Sequence, residues 1–206
     1  MTVLSAERIA TLHDRLVTAW HEEGSLDASL DAAGARDAIL ARVTAQHRAN
    51  FELWHIEDEA RRPGASDADL ADVKRRIDRT NQRRNDAVEE LDRALLEELA
   101  ARGLPNPEAE LHSETPGLMI DRLSILALKI YHTREETCRE DAPAGHVERN
   151  CERLAILEQQ RSDLAGCLEA LWSEILAGTR RFKLYRQLKM YNDPSLNPAI
   201  YGKVPK

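Results

Sequence analysis

The 206-residue chain is 42% hydrophobic and 32% charged, with a formal net charge of −7. Its length suffices for a full core in one large or two small domains. The negative charge excludes nucleic-acid binding by bulk electrostatics and disfavours an anionic membrane surface.

Ala, Leu, Glu and Arg dominate, aromatics make up 4%, and clusters of Val, Ile and Thr are scarce, so an all-α fold is predicted. A first helix is expected up to Glu23, with Ser5 as its cap and Ile9, Leu12, Leu16 and Trp20 on one face. This N-terminal helix belongs to residues 1–35 of a single domain spanning 1–206, in which Leu26 to Gly34 reads as a loop or a short turn. A second helix is predicted from about Ala35 to Arg62, stopped by Pro63-Gly64. Its stripe is Leu40, Val43, His47, Asn50, Trp54, Asp58 and Arg61, apolar at first and polar later. The third helix starts at Ser66 or Asp67, with Asp69 in its first turn, and ends at Gly103 with Pro105 beyond. Its stripe, Leu70 through Leu95, is apolar except at Asn81 and Arg84.

The fourth helix is the stretch TPGLMIDRLSILALKIYH, Thr115 to His132, continuing to about Arg139. Thr115 caps it and Pro116 takes the first helical position. Met119, Leu123, Leu126 and Ile130 form one face; Asp121, Ile125, Leu128 and His132 form the opposite one. A helix apolar on two sides belongs at the centre. The fifth helix runs from His146 to Ala177, with Arg161 inside its apolar stripe. A short basic helix and an irregular tail over 192–206 complete the expectation of one elongated antiparallel bundle. Helices this long leave ends uncovered, which favours a homo-oligomer.

Three stripes carry polar groups where core residues are expected: Asn50, Asp58 and Arg61; Asn81 and Arg84; Arg161. The central helix adds Asp121, Lys129 and His132. Unpaired buried charge is costly, so these groups must pair with one another or with a ligand. One reading is a salt-bridge network fixing register. The other is a pocket for an anionic or polyhydroxyl ligand, with Arg84 and Arg161 taking phosphate or carboxylate and Asn50 and Asn81 taking hydroxyls. Asp58, Asp121 and His132 are the proton-transfer candidates.

A divalent metal has two weaker footholds. Glu52 and His55 show the i, i+3 spacing of di-iron bundles, but that order occurs once, and His132 with Glu135 or Glu136 reverses it. Asp78, Asn85, Glu89 and Asp92 on the third helix, opposite Glu57 and Asp58, offer oxygen ligands for Mg²⁺. An ordinary solvated acidic face explains the same pattern. Near the C-terminus Arg180, Arg181, Lys183, Arg186 and Lys189 interleave with Phe182, Tyr185 and Tyr191. That segment either grips an anion or docks by its aromatics with cations outward. Cys138, Cys151 and Cys167 lack metal-type spacing and read as reduced thiols in a cytoplasm. The longest apolar run, Leu123 to Leu128 interrupted by Ser124, is too short to span a bilayer. No nucleophile elbow and no phosphate-cradling glycine loop occurs.

Four stretches together resemble one bacterial family classed as a domain of unknown function: NFELWHIEDEAR (Asn50 to Arg61), VKRRIDRTNQRRNDAVEELD (Val73 to Asp92), ETPGLMIDRLSILALKIYH (Glu114 to His132) and RRFKLYRQLKMYNDPSLNPAIY (Arg180 to Tyr201). The resemblance implies genes lying among glycosyltransferases, hence a role in cell-surface polysaccharide synthesis. It transfers no catalytic residue. The expected function is therefore binding of, or action on, a phosphorylated or nucleotide-linked sugar. The alternatives are a non-enzymatic scaffold or regulator of a glycosyltransferase and a metal-dependent nucleotide phosphohydrolase.

Overall fold

The structure, a computed structural model, describes residues 4–23, 37–188 and 194–196. Five long helices carry the fold: α1 (Ala6–Glu23), α2 (Ala38–Glu59), α3 (Asp67–Ala100), α4 (Pro116–Thr137) and α5 (His146–Leu176). Their ends follow local chemistry. The Asp37 carboxylate accepts from Ile39 and Leu40 N–H at the start of α2. Ser66 and Asp69 close a reciprocal capping box on α3. Gly103 and Gly178, both at positive φ, follow the ends of α3 and α5, where L side chains are strained.

α4 is the central helix, in contact with all four others. Ile120, Leu123 and Leu128 are fully buried on it, in one cluster with Leu91, Leu95 and Leu99 of α3, Leu168 and Ile175 of α5, and Ile9 and Leu16 of α1, and Ile130 is buried as well. Its entry is fixed by a tertiary cap. The Thr115 hydroxyl accepts from Leu118 N–H and donates to the buried Asp92 carboxylate, which also accepts from Gly117 N–H at 2.7 Å. A Cβ at Gly117 would lie 2.7 Å from that carboxylate, so only glycine admits the approach. Burial pushes the Asp92 carboxyl up to about 6.

α3 and α5 run antiparallel to their neighbours. Glu52 faces Arg83 and Glu59 faces Arg76 across α2 and α3, while Arg134 meets Glu158 across α4 and α5. α1 and α2, although consecutive, run parallel: His13 meets His47, and His21 meets His55 two turns later. The sequence suggests antiparallel neighbours here. The connection over residues 24–37 is long enough to reverse that, since it can reach about 45 Å along an α1 that is about 27 Å long.

The expected basic C-terminal helix does not form over the described residues. Arg180–Arg181 is instead a strand, β2, paired in parallel with β1 (Glu110–Leu111), and residues 182–188 carry no regular structure. Backbone pairing with the α3–α4 linker competes successfully with local helix propensity. His112 N–H donates to Arg181 O at 2.8 Å, and the Arg181 guanidinium reaches Ala109 O. Phe182 is fully buried, so the aromatic does dock. A 3-10 turn at Pro194–Leu196 is the described part of the tail. Among the described residues no helix is long and apolar enough to cross a membrane.

Candidate functional site

The polar residues of α2, α3 and α4 build a closed seam around Asp121. Its carboxylate accepts from Gln46 Nε2, from Asn50 Nδ2 at 3.0 Å, and side-on from Arg84 Nε at 2.9 Å and Nη2. This bonding raises the guanidinium pKa of Arg84 further. Asn50 Nδ2 also donates to Ser124 Oγ at 2.9 Å, and Ser124 lies 2.7 Å from His47 Nδ1. The His13 carbonyl can only accept, so His47 Nε2 carries the ring proton and Nδ1 accepts from Ser124. Burial pushes His47 down to about 3 and lowers His13 as well, so both rings stay neutral. Ser124 and His47 are wholly enclosed, which denies a Ser–His pair any substrate.

Beside the seam lies a cleft of about 490 Å³ between α2 and α4. Asn50, Trp54, Asp58, Arg61 and Arg84 all line it, with Glu57 and with Leu53, Ile125 and Leu128 as its apolar wall. Arg84 spends two of its five N–H donors on Asp121 and keeps three for other acceptors. Arg61 is held at the rim by Glu57 at 3.5 Å and Asp58 at 3.5 Å, both in exposed pairs of small energetic weight.

A second grouping lies further along the same helices. His21 of α1, His55 of α2 and His132 of α4 place one ring nitrogen each within 4.8 Å of the others. Trp54 stacks on His132 at 4.9 Å and 10°, and Tyr131 stacks on His21 at 4.3 Å and 15°. Burial, with His132 and His55 beside it, lowers His21.

The remaining sequence candidates go elsewhere. Arg161 pairs with Asp14 of α1 at 2.8 Å. Lys129 is exposed on a different groove, of about 620 Å³, shared with Glu114, Arg122 and Asp163. Asn81 is half-buried, Lys183 is exposed, and Lys189 lies outside the described residues. The acidic set does not converge. Asp78 pairs with Lys74, Glu89 accepts from Gln187 N–H at 2.7 Å, and Asp92 caps α4. Glu52 pairs with Arg48 and Arg83. With His55 it borders a third cleft, about 750 Å³, between α2 and α3. The single polar level expected from the helical stripes is thus divided among the seam, the histidine cluster and the α1–α5 pair.

Residues 40–184 match a family described as protein of unknown function, DUF4254. The chain belongs to the DUF4254 family. No curated protein and no solved structure matches it. The DUF4254 match takes in the cleft, Arg84, Asp121 and His132, and it begins after α1, so His13 and His21 lie outside it. Gln46, Ser124, His13 and His21 are functional-site neighbours that stripe reasoning passes over. Ser124 carries the one local signal, a hydroxyl interrupting an apolar run.

Proposed function

We propose that this DUF4254 protein binds a phosphorylated or nucleotide-linked sugar in the cleft between α2 and α4. The observation that carries the reading is the convergence of Asn50, Trp54, Arg61 and Arg84 on one cavity beside an apolar wall. The three spare donors of Arg84 and the exposed head of Arg61 suit anionic oxygens. Asn50 suits a hydroxyl, and the indole of Trp54 offers a flat apolar face to a sugar or base ring. Asp58, at the rim, is the group best placed for proton transfer if the bound ligand reacts. Asp121 is saturated by four donor atoms and serves to position Arg84.

The same proposal extends to a cytoplasmic place in cell-surface polysaccharide assembly and to self-association. Those parts rest on the family resemblance and on helix length rather than on the cleft. A thermal-shift panel of nucleotide sugars, sugar phosphates and free nucleotides tests the cleft. A ligand at a hundred times its dissociation constant stabilises the chain by about 2.7 kcal/mol. Arg61→Ala and Trp54→Ala, both away from the closed seam, are expected to remove the shift. If no member of the panel stabilises the chain, or if the shift survives both substitutions, the cleft is not the binding site.

A further inference from the structure

We propose that His21, His55 and His132 form a three-histidine site for a divalent transition-metal ion of the zinc class, with one coordination position left open. The tautomers are dictated by neighbouring oxygens. His21 Nδ1 lies 2.7 Å from Val17 O and His55 Nδ1 lies 2.9 Å from Phe51 O. A carbonyl only accepts, so both Nδ1 atoms carry the proton. His132 Nδ1 lies 2.9 Å from Glu135 Oε2 and donates to it. Each neutral ring therefore presents a bare lone pair at Nε2. Carbonyl and carboxylate acceptors behind the ligating rings are the usual support of a metal-bound imidazole.

Two of those lone pairs lack any other use. The Nε2 atoms of His21 and His132 are buried and find no hydrogen-bond partner among the described residues. An unsatisfied buried acceptor costs about 1–3 kcal/mol, and here two are confined to one cluster. An ion at the centre satisfies all of them at once. Tetrahedral Zn–N bonds require nitrogens about 3.3 Å apart. The ligand atoms, within 4.8 Å of one another, need to close by no more than about 1.5 Å, a shift within the reach of side-chain rotation.

The fold adds a field of the right sign. Because α1, α2 and α4 run parallel, their C-terminal ends converge. His21 lies in the last turn of α1, and His55 and His132 lie within two turns of the ends of α2 and α4. Helix C-termini carry partial negative charge and favour a cation. The neighbouring Phe51, Trp54 and Tyr131 rings wall the imidazoles and hold their orientation. His55 also lines the α2–α3 cleft, which gives an ion and a fourth, oxygen ligand a way in. Three protein nitrogens with an open position are the arrangement of reactive rather than purely structural zinc sites.

The test uses the full chain, stripped with a chelator and titrated with Co²⁺ and Zn²⁺ by calorimetry and visible absorption. One equivalent is expected to bind. The Co²⁺ spectrum should show tetrahedral nitrogen and oxygen ligation without thiolate charge transfer, which rules out capture by Cys138, Cys151 or Cys167. Glu135→Gln, which leaves all three ligands in place, should weaken binding by about 10- to 100-fold. His55→Ala should weaken it more while leaving the helical circular dichroism unchanged. Absence of stoichiometric binding by the native chain overturns the proposal. So does affinity that survives substitution of each histidine, or a thiolate spectrum. Sugar-ligand binding by the stripped chain is read separately, so failure of the cleft proposal and failure of this one are distinguishable.

Discussion

The seam at Asp121 and the cluster at His132 lie on one helix, eleven residues or about 17 Å apart. Both take partners from α2 and α1. In the seam the carboxylate is enclosed by four donor atoms and the Ser124 hydroxyl donates to His47, while Gln46 Oε1, the His13 ring and the outer edge of Arg84 keep unused capacity. In the cluster three rings bring one nitrogen each within 4.8 Å of the others, and Nε2 of His21 and of His132 has no partner among the described residues. The first arrangement fixes helix register around a carboxylate whose bonding is complete. The second leaves the Nε2 lone pairs of His21 and His132 without a hydrogen bond among the described residues. Polar groups inside a bundle thus separate into those gathered around one charge and those gathered around none.

Several measurements break or sharpen that contrast. The largest effect belongs to the neutral ring at the end of the seam. His47 titrates near 3 in the folded chain against 6.5 when unfolded. Its contribution is fully present above pH 6.5 and is lost as pH falls through 3, a change of about 4–5 kcal/mol. Asp92 acts in the opposite sense. Its folded value of about 6 exceeds its unfolded 3.8, so its contribution is present below pH 3.8 and lost as pH rises through 6. Urea unfolding at a series of pH values should therefore show a shallower acid loss in His47→Gln than in the native chain. Equal slopes would mean that the ring is not held neutral. Next, Asp121→Ala leaves the Arg84 charge and two amide donors without their acceptor and should cost about 3–5 kcal/mol. A loss below about 1 kcal/mol in chemical denaturation would show the seam to be solvent-compensated.

The cluster should respond in the other direction. With no metal added, His55→Ala removes a half-buried ring and one weak backbone contact, and is expected to change stability by less than about 1 kcal/mol. A large loss under chelator would make the cluster a packing element like the seam. Lys129→Ala, on an exposed turn of the same helix, should stay within about 0.5 kcal/mol and sets the baseline for both.

The helices and their ends were readable because their causes are local. Ser66 with Asp69, Thr115 with Pro116, and Gly103 and Gly178 each act within a turn or two of the boundary they set. The central position of α4 followed from its two apolar faces. Asn50, Asp58, Arg61 and Arg84 were legible as candidates because each interrupts an apolar stripe, and Trp54 because polar groups surround it on that stripe; all five line one cleft. What escaped depends on contacts between distant segments. The β1–β2 pairing overrides helix propensity at Arg180, and no periodicity encodes it. The histidine cluster needs the parallel run of α1 beside α2, and no spacing within α1 marks His21. Asp92 looked like one carboxylate of a solvated face because its partner, Gly117, has no side chain to announce the contact.

Trp54 belongs to both regions, lining the cleft while its indole lies parallel to His132. Trp20 and Trp172 are buried, whereas Trp54 is half-exposed. The consequence is optical. A stacked imidazole and an open-shell ion both drain the excited state of an indole, and a ring packed against the same indole shifts its emission colour. Replacing Trp20 and Trp172 by Phe would leave a chain with one emitter. Cu²⁺ at the histidines would then darken it, while a sugar nucleotide in the cleft would change its hue.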